Sequence, residues 1–240
     1  MRVGIISQVR MGSTRLPGKV LLPAAGRPLL DYHVVRLQQS GFPVILATSV
    51  LPADDALAQY AEQHQLPYHR GSETDVLARY YETAKAQQLD VIARVTSDCP
   101  LIDGELLGAA LRRYVADASP QVFRSNAVVR TYPRGFDFEI FSFAQLEAAQ
   151  QQANTEFERE HVTPYLKTRA PGIAFRDEVN PAGDFSQLRL TLDTPEDYEL
   201  LRRLIEEHHA ETLPGPAIVE LLLAHPELVA INAHVEQKTT

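Results

Sequence analysis

Arg10, Arg15 and Lys19 lie in one short stretch, Gln8-Val9-Arg10-Met11-Gly12-Ser13-Thr14-Arg15-Leu16-Pro17-Gly18-Lys19, among two glycines and two hydroxyl residues. That mixture suits a polyanion. Backbone N–H groups freed at Gly12 and Gly18 can converge on phosphate oxygens, and the three cations supply charge that backbone dipoles lack. With Arg2 and Arg27 they give the first thirty residues five basic side chains and no acidic one, in a chain of formal net charge -8.

Two familiar phosphate motifs do not fit. Counting from Gly12 as a Walker loop, Pro17 stands where glycine is required, Gly18-Lys19 comes one residue late, and Val20 replaces the metal-binding hydroxyl. No second glycine lies two residues after Gly4, so the dinucleotide turn is not encoded either. A solvated basic loop is the plain alternative, and carboxylates elsewhere argue against it. Asp98 follows the apolar run Val91-Ile92-Ala93-Arg94-Val95, with Pro100 stopping the strand, and Asp193 follows Leu188-Arg189-Leu190-Thr191-Leu192 in the same way. Two aspartates at strand ends beside a phosphate cradle suit Mg2+, which takes one or two carboxylates and completes its shell with water and phosphate oxygens. Glu196 and Asp197 have a simpler reading, because Thr194-Pro195-Glu196-Asp197 is a capped helix start.

These residues need strands that end along one rim. The first strand leads through Ile5 and Ile6 to Val9, and a helix is expected over residues 28 to 40, where Leu29, Leu30, His33, Val34 and Leu37 recur at helical spacing and Gly41 closes it. Further strands are expected over Phe42 to Thr48, Leu66 to His69 and Asp90 to Thr96, and further helices over Asp54 to Gln65, Asp75 to Gln88 and Asp103 to Ala116. Next come Gln121 to Asn126 and Phe136 to Phe141, two strand-like stretches with no long helix between them, so the sheet is expected to be mixed and mainly parallel. The loops after Val9, Thr48, His69 and Thr96 should then share one rim.

A second ligand is expected on Tyr132-Pro133-Arg134-Gly135-Phe136-Asp137-Phe138-Glu139-Ile140-Phe141. As a strand it turns Asp137 and Glu139 to one face, where they can hold sugar hydroxyls, and Arg134 can pair with a carboxylate or phosphate. An exposed amphipathic strand is the alternative. Thr155 and Glu158 form a capping box, leaving Arg159 and His161 as weaker candidates.

Composition sets the bounds. The 240 residues suffice for one large α/β domain, and Cys99, the single cysteine, suits a reducing compartment and a small buried role. No apolar segment spans a membrane or forms a signal-peptide core, so a cytoplasmic protein that binds neither membrane nor nucleic acid is expected.

The anion loop, Arg70-Gly71-Ser72, Ser97-Asp98-Cys99-Pro100-Leu101-Ile102-Asp103 and Leu192-Asp193-Thr194-Pro195-Glu196-Asp197 together resemble the cytidylyltransferases that activate sugar acids, nearest the spore coat polysaccharide biosynthesis protein F type. The resemblance runs over nearly the whole chain. It implies a single Rossmann-like domain of nucleotide-diphospho-sugar transferase type over residues 1–240, with 121–185 as an insert for acceptor binding and dimerisation. It also implies CMP transfer from CTP to a sugar acid or related acceptor, Mg2+ dependence and a homodimer. Arg10, Ser13 and Lys19 match the family's triphosphate loop, and Asp98 and Asp193 match its metal positions; Ser97 stands where the family usually has glycine. Arg10, Lys19, Asp98 and Asp193 are thus the catalytic set. Gly12 and Arg15 complete the nucleotide loop, while Ser7, Gln8 and Val9 with Arg70, Gly71, Ser72 and Asp75 are expected around the base. A glycosyltransferase of similar fold would want an Asp-x-Asp metal motif, which Asp98-Cys99-Pro100 does not supply. A non-catalytic nucleotide-binding partner would not need the intact cations and carboxylates.

Overall fold

The computed structural model describes residues 1–236. Val3–Gln8 is buried at its four central positions and forms strand β1, as expected of a central strand with both faces covered. The chain then makes the anion loop, a short 3-10 turn at Lys19–Leu21, and a two-stranded ribbon of β2 (Pro23–Ala24) and β3 (Arg27–Pro28). Alternation follows: α1 (Leu29–Gln38), β4 (Val44–Ser49), α2 (Asp55–Gln63), β5 (Tyr68–Gly71), α3 (Val76–Ala86), β6 (Val91–Thr96) and α4 (Gly104–Asp117). The order of elements matches the sequence reading, although β5 begins two residues later than expected. Strands β7 (Val122–Ser125) and β8 (Glu139–Ser142) precede α5 (Phe143–Gln152), α6 (Glu156–His161), α7 (Pro164–Thr168) and β9 (Ala174–Asp177); α8 (Pro195–His208), α9 (Gly215–Ala224) and α10 (Pro226–Asn232) follow.

The seven-stranded sheet runs β5-β4-β1-β6-β8-β7-β9. The first four strands are parallel, β8 runs against both β6 and β7, and β9 runs with β7. The mixed, mainly parallel expectation holds. Registers Gln8 to Thr96 and Gln8 to Ala47 bring the carboxyl ends of β6, β1 and β4 to one edge. Adjacent residues of β1 face opposite layers: Ile6 packs with Leu77, Tyr80 and Phe141, and Ile5 with Leu37, Leu107 and Ile140. Gly104 lets α4 approach α1 closely, since a Cβ there would lie 1.8 Å from the Arg36 carbonyl oxygen.

Two expected strands differ. β8 starts at Glu139, so Phe136 and Phe138 reach the core from the preceding coil. Residues 188 to 192 form no strand of the sheet. Leu188, Leu190 and Leu192 are buried as the alternation requires, against α8, α9 and α10. The backbone bonds of this segment, however, go to two separate loops: Arg134 N–H donates to Leu188 O, Leu190 N–H to Arg134 O and Leu192 N–H to Asp98 O. Gly135, at φ +104°, permits the contact, because a Cβ would stand 2.6 Å from Leu190 O. Among the described residues no helix is long and apolar enough to cross a membrane.

Candidate active site

The loop after β1 folds back on itself through the left-handed Gly18 (φ +67°), whose N–H donates to Met11 O at 3.1 Å, and it is pinned by Met11 N–H donating to Asp54 Oδ1 at 2.7 Å. The turn places Lys19 at the strand ends. Its ammonium donates to Asp98 Oδ2 (3.1 Å), Asp193 Oδ1 (2.8 Å) and Leu192 O (2.6 Å), which uses all three protons. Lys19 is largely buried there: its side chain is 13% exposed, against 25% for Asp98 and 16% for Asp193. Burial works against the Lys19 charge, but the two carboxylates hold its pKa above the ordinary lysine value. Burial likewise opposes the charge on Asp98, while Lys19 and the Thr96 hydroxyl, donating at 2.6 Å, keep its carboxyl below the usual carboxylate range.

Asp193 is expected at the end of a strand and is in fact fixed by helix α8. Its N–H donates to Asp197 Oδ2 at 2.9 Å, and the fully buried Asp197 also receives Arg189 Nε and Asn232 Nδ2, both at 2.8 Å. Arg189 Nη2 bridges on to Asp193 Oδ2 at 3.0 Å, and Arg15 reaches that oxygen at 3.3 Å. Thr194 and Asp197 form the expected capping box. Beneath the loop after β6, His33 Nδ1–H donates to Cys99 O at 2.9 Å, which leaves Nε2 to accept from the Ser7 hydroxyl at 2.8 Å. Complete burial lowers the His33 pKa to about 4.

Lys19 and the two aspartates open on a cavity of about 910 Å³ that Gln8, Arg10, Gly12, Ser13, Arg15 and Ser97 also line. Its far end is closed by α6 and α7, with Phe157, Glu160, His161, Thr163 and Lys167, and floored by Arg94 of β6. Glu139 lies under that end, nearly inaccessible, accepting from Arg94 Nη1 (2.8 Å), the Thr163 hydroxyl (3.0 Å) and Lys167. Its burial favours the neutral acid, but Arg94 and Lys167 keep it ionised, with a lowered pKa.

Of the residues selected from sequence, the cavity therefore joins Gln8, Arg10, Gly12, Ser13, Arg15, Lys19, Asp98, Asp193 and His161. Others are committed elsewhere. The Ser7 side chain is turned inward to His33, and Val9 is core. Arg70 is tied to Ser49 O, Leu51 O and Asp55, and Gly71 sits against the Arg79 side chain. Ser72 accepts from Asp75 N–H, and Asp75 caps α3 and pairs with Arg159, which also donates to Gln150 O. Asp137, partly exposed, is held by Arg130, and the buried Glu139 holds protein cations, so the two carboxylates do not share one open polar face. The expected alternation fails because β8 begins only at Glu139. Arg134 lines a different pocket of about 280 Å³, beside Arg189 and Asn232.

Glu73, Arg94, Thr163 and Lys167 enter the site without having been selected. Arg94 carries a legible signal, because a lone charge inside a buried strand requires a partner. Thr163 and Lys167 carry none.

A mainly parallel sheet with a cationic loop, one aspartate after a central strand and a second brought beside it at the start of α8 defines a Rossmann-like nucleotidyltransferase. The chain belongs to the cytidylyltransferase family, whose model matches residues 3–215. It is 35% identical over 212 residues to the spore coat polysaccharide biosynthesis protein SpsF of Bacillus subtilis, covering 84% of this chain and 85% of that one. A cytidylyltransferase structure from Leptospira borgpetersenii serovar Hardjo-bovis superposes with a TM-score of 0.90 at 34% identity, over 100% of this chain and 98% of the other. The CMP:2-keto-3-deoxy-manno-octonic acid synthetase, solved in complex with CTP, shares the fold at 18% identity, with a TM-score of 0.64 over 87% of this chain and 100% of its own.

Proposed function

We propose that this enzyme transfers CMP from CTP to a small anionic sugar-like acceptor, with Mg2+ as cofactor and pyrophosphate as product, in the making of a surface polysaccharide or glycoconjugate. The observation that carries the reading is the meeting of Lys19, Asp98 and Asp193 at the mouth of one cavity that has cations at both ends. In the transfer, an acceptor oxygen bonds to the α-phosphorus as the bond from that phosphorus to the bridging oxygen breaks, and pyrophosphate leaves with the electron pair. Arg10, Arg15 and Lys19 face the phosphates and neutralise the charge that develops on the leaving group. Such reactions ask mainly for positioning and electrostatics.

Asp98 and Asp193 fit a hard cation, since their oxygens already converge on one positive centre, the Lys19 ammonium. Bound there, Mg2+ would polarise the phosphoryl group, with its remaining ligands drawn from water and phosphate oxygens. At the far end Arg94 and Lys167, which pair with Glu139 and share the cavity wall with Glu160, are the cations offered to the acceptor's acid group. They take the place first given to Arg134. His161, whose pKa burial lowers, offers a neutral ring to an acceptor hydroxyl. The relatives' names, a polysaccharide protein and a sugar-acid synthetase, point the same way.

We also propose a homodimer formed through the 121–185 segment. Its strand β9 ends the sheet, and Val128, Val129 and Val179 stand exposed beside it.

A pyrophosphate-release screen of the four ribonucleoside triphosphates against a panel of sugar acids tests the transfer. CTP should be the preferred donor, and Asp98→Asn and Asp193→Asn should remain folded while losing pyrophosphate release in saturating Mg2+. Parent rates in both variants would remove the metal assignment, and equal use of ATP or GTP would remove the cytidylyl one.

A further inference from the structure

Glu73, in the turn between β5 and α3, lies between two guanidinium groups that it satisfies unequally. Its Oε1 accepts from Arg10 Nη1 at 3.2 Å. Its Oε2 is buried without a hydrogen-bond partner and lies 3.9 Å from Arg79 Nη1, beyond bonding distance. The Arg79 side chain is wholly buried; Nη1 donates to Ser72 O at 2.9 Å, while Nε and Nη2 meet no acceptor. Unpaired donors on a buried cation are costly, and so is an unpaired buried carboxylate oxygen. Each group is the natural partner of the other, and Arg10 at the cavity wall draws the carboxylate away.

We propose that Glu73 is handed from Arg10 to Arg79 when a nucleoside triphosphate engages Arg10. The inference rests on the triphosphate reading of the loop. Phosphate oxygens replace Glu73 on Arg10, and the released carboxylate closes the 3.9 Å gap to the Arg79 guanidinium instead of facing a polyanion. Glu73 is thereby a positioning residue for Arg10 and a charge filter: a ligand that cannot outcompete a carboxylate for Arg10 does not trigger the exchange.

The test uses the whole protein labelled with 15N. The Nε–H signal of buried Arg79 should shift when CTP is added to the wild-type protein and stay in place in Glu73→Gln, and calorimetry should show Glu73→Gln binding CTP about two- to fivefold more tightly, the worth of one partly exposed ion pair. An unmoved Arg79 signal in a wild-type protein that binds CTP overturns the hand-over, and tightening without that shift reduces Glu73 to a repulsive charge. A wild-type protein that binds no triphosphate overturns the reading of the loop along with it.

Discussion

Lys19 shows how much a single side chain can carry. With its ammonium removed, Asp98 and Asp193 face each other across the cavity mouth with no cation between them. Lys19→Ala should therefore reduce pyrophosphate release by about 100- to 1,000-fold and lower stability by about 1–3 kcal/mol, because the partly buried Asp98 loses its cation while Asp193 keeps Arg189 and Arg15. Steady-state kinetics and thermal unfolding check the two effects separately. The pH dependence of this clasp has two sides. Asp98, with its pKa depressed, contributes stability above the ordinary aspartate value that is lost as pH falls through the depressed one. Lys19, with its pKa raised, contributes below its ordinary value of 10.5, and that contribution is lost as pH rises through the raised one. The clasp is complete at neutral pH. The residue types and the pairing of Asp98 with Asp193 were legible in the sequence. That Lys19 sits between them was not, since linear spacing does not encode which charges meet across 174 positions.

At the scale of elements, α1 is joined to β1 and to the loop after β6 through His33. Its pKa of about 4 lies below the ordinary 6.5 because burial of the charged ring outweighs the support of the Cys99 carbonyl and the Asp98 charge. Between those values the unfolded chain binds the proton and the folded one does not, so stability is complete above pH 6.5 and falls toward pH 4. The loss attributable to this residue is about 3 kcal/mol. In His33→Gln, which keeps an amide donor for Cys99 O, unfolding midpoints between pH 6.5 and 4 should fall less steeply than in the parent; parallel slopes would refute the assignment. The elements up to α4 were readable because buried strands and amphipathic helices alternate there with little interruption. Past residue 120 the signals mislead. Phe136 and Phe138 enter the core from coil, and residues 188 to 192 alternate like a strand while bonding to the loops at Arg134 and Asp98. Alternation reports burial on one side and cannot say whether a ladder partner exists.

For the whole molecule, the net charge of -8 disfavours polyanions generally, and the basic side chains of the cavity wall, Arg10, Arg15, Lys19, Arg94 and Lys167, are set among four carboxylates. Val128, Val129 and Val179 are exposed in the segments that follow β7 and β9, which are joined where Asn180 N–H donates to the Thr131 hydroxyl at 2.7 Å. Light scattering should give twice the 26.8 kDa chain mass, and the double variant Val129→Lys, Val179→Lys should give the single mass with unchanged circular dichroism. A monomeric parent would refute the dimer. The clasp on Lys19 also has a consequence in time. Synthesis is vectorial, and Asp193 follows Lys19 by 174 residues, roughly 10–35 s at the ordinary pace of a ribosome. Throughout that interval the nascent amino-terminal half carries an anion loop that lacks its second carboxylate and the Leu192 carbonyl. The clasp can close only after residue 193 has been made, and a chain terminated before that point has no means of completing it.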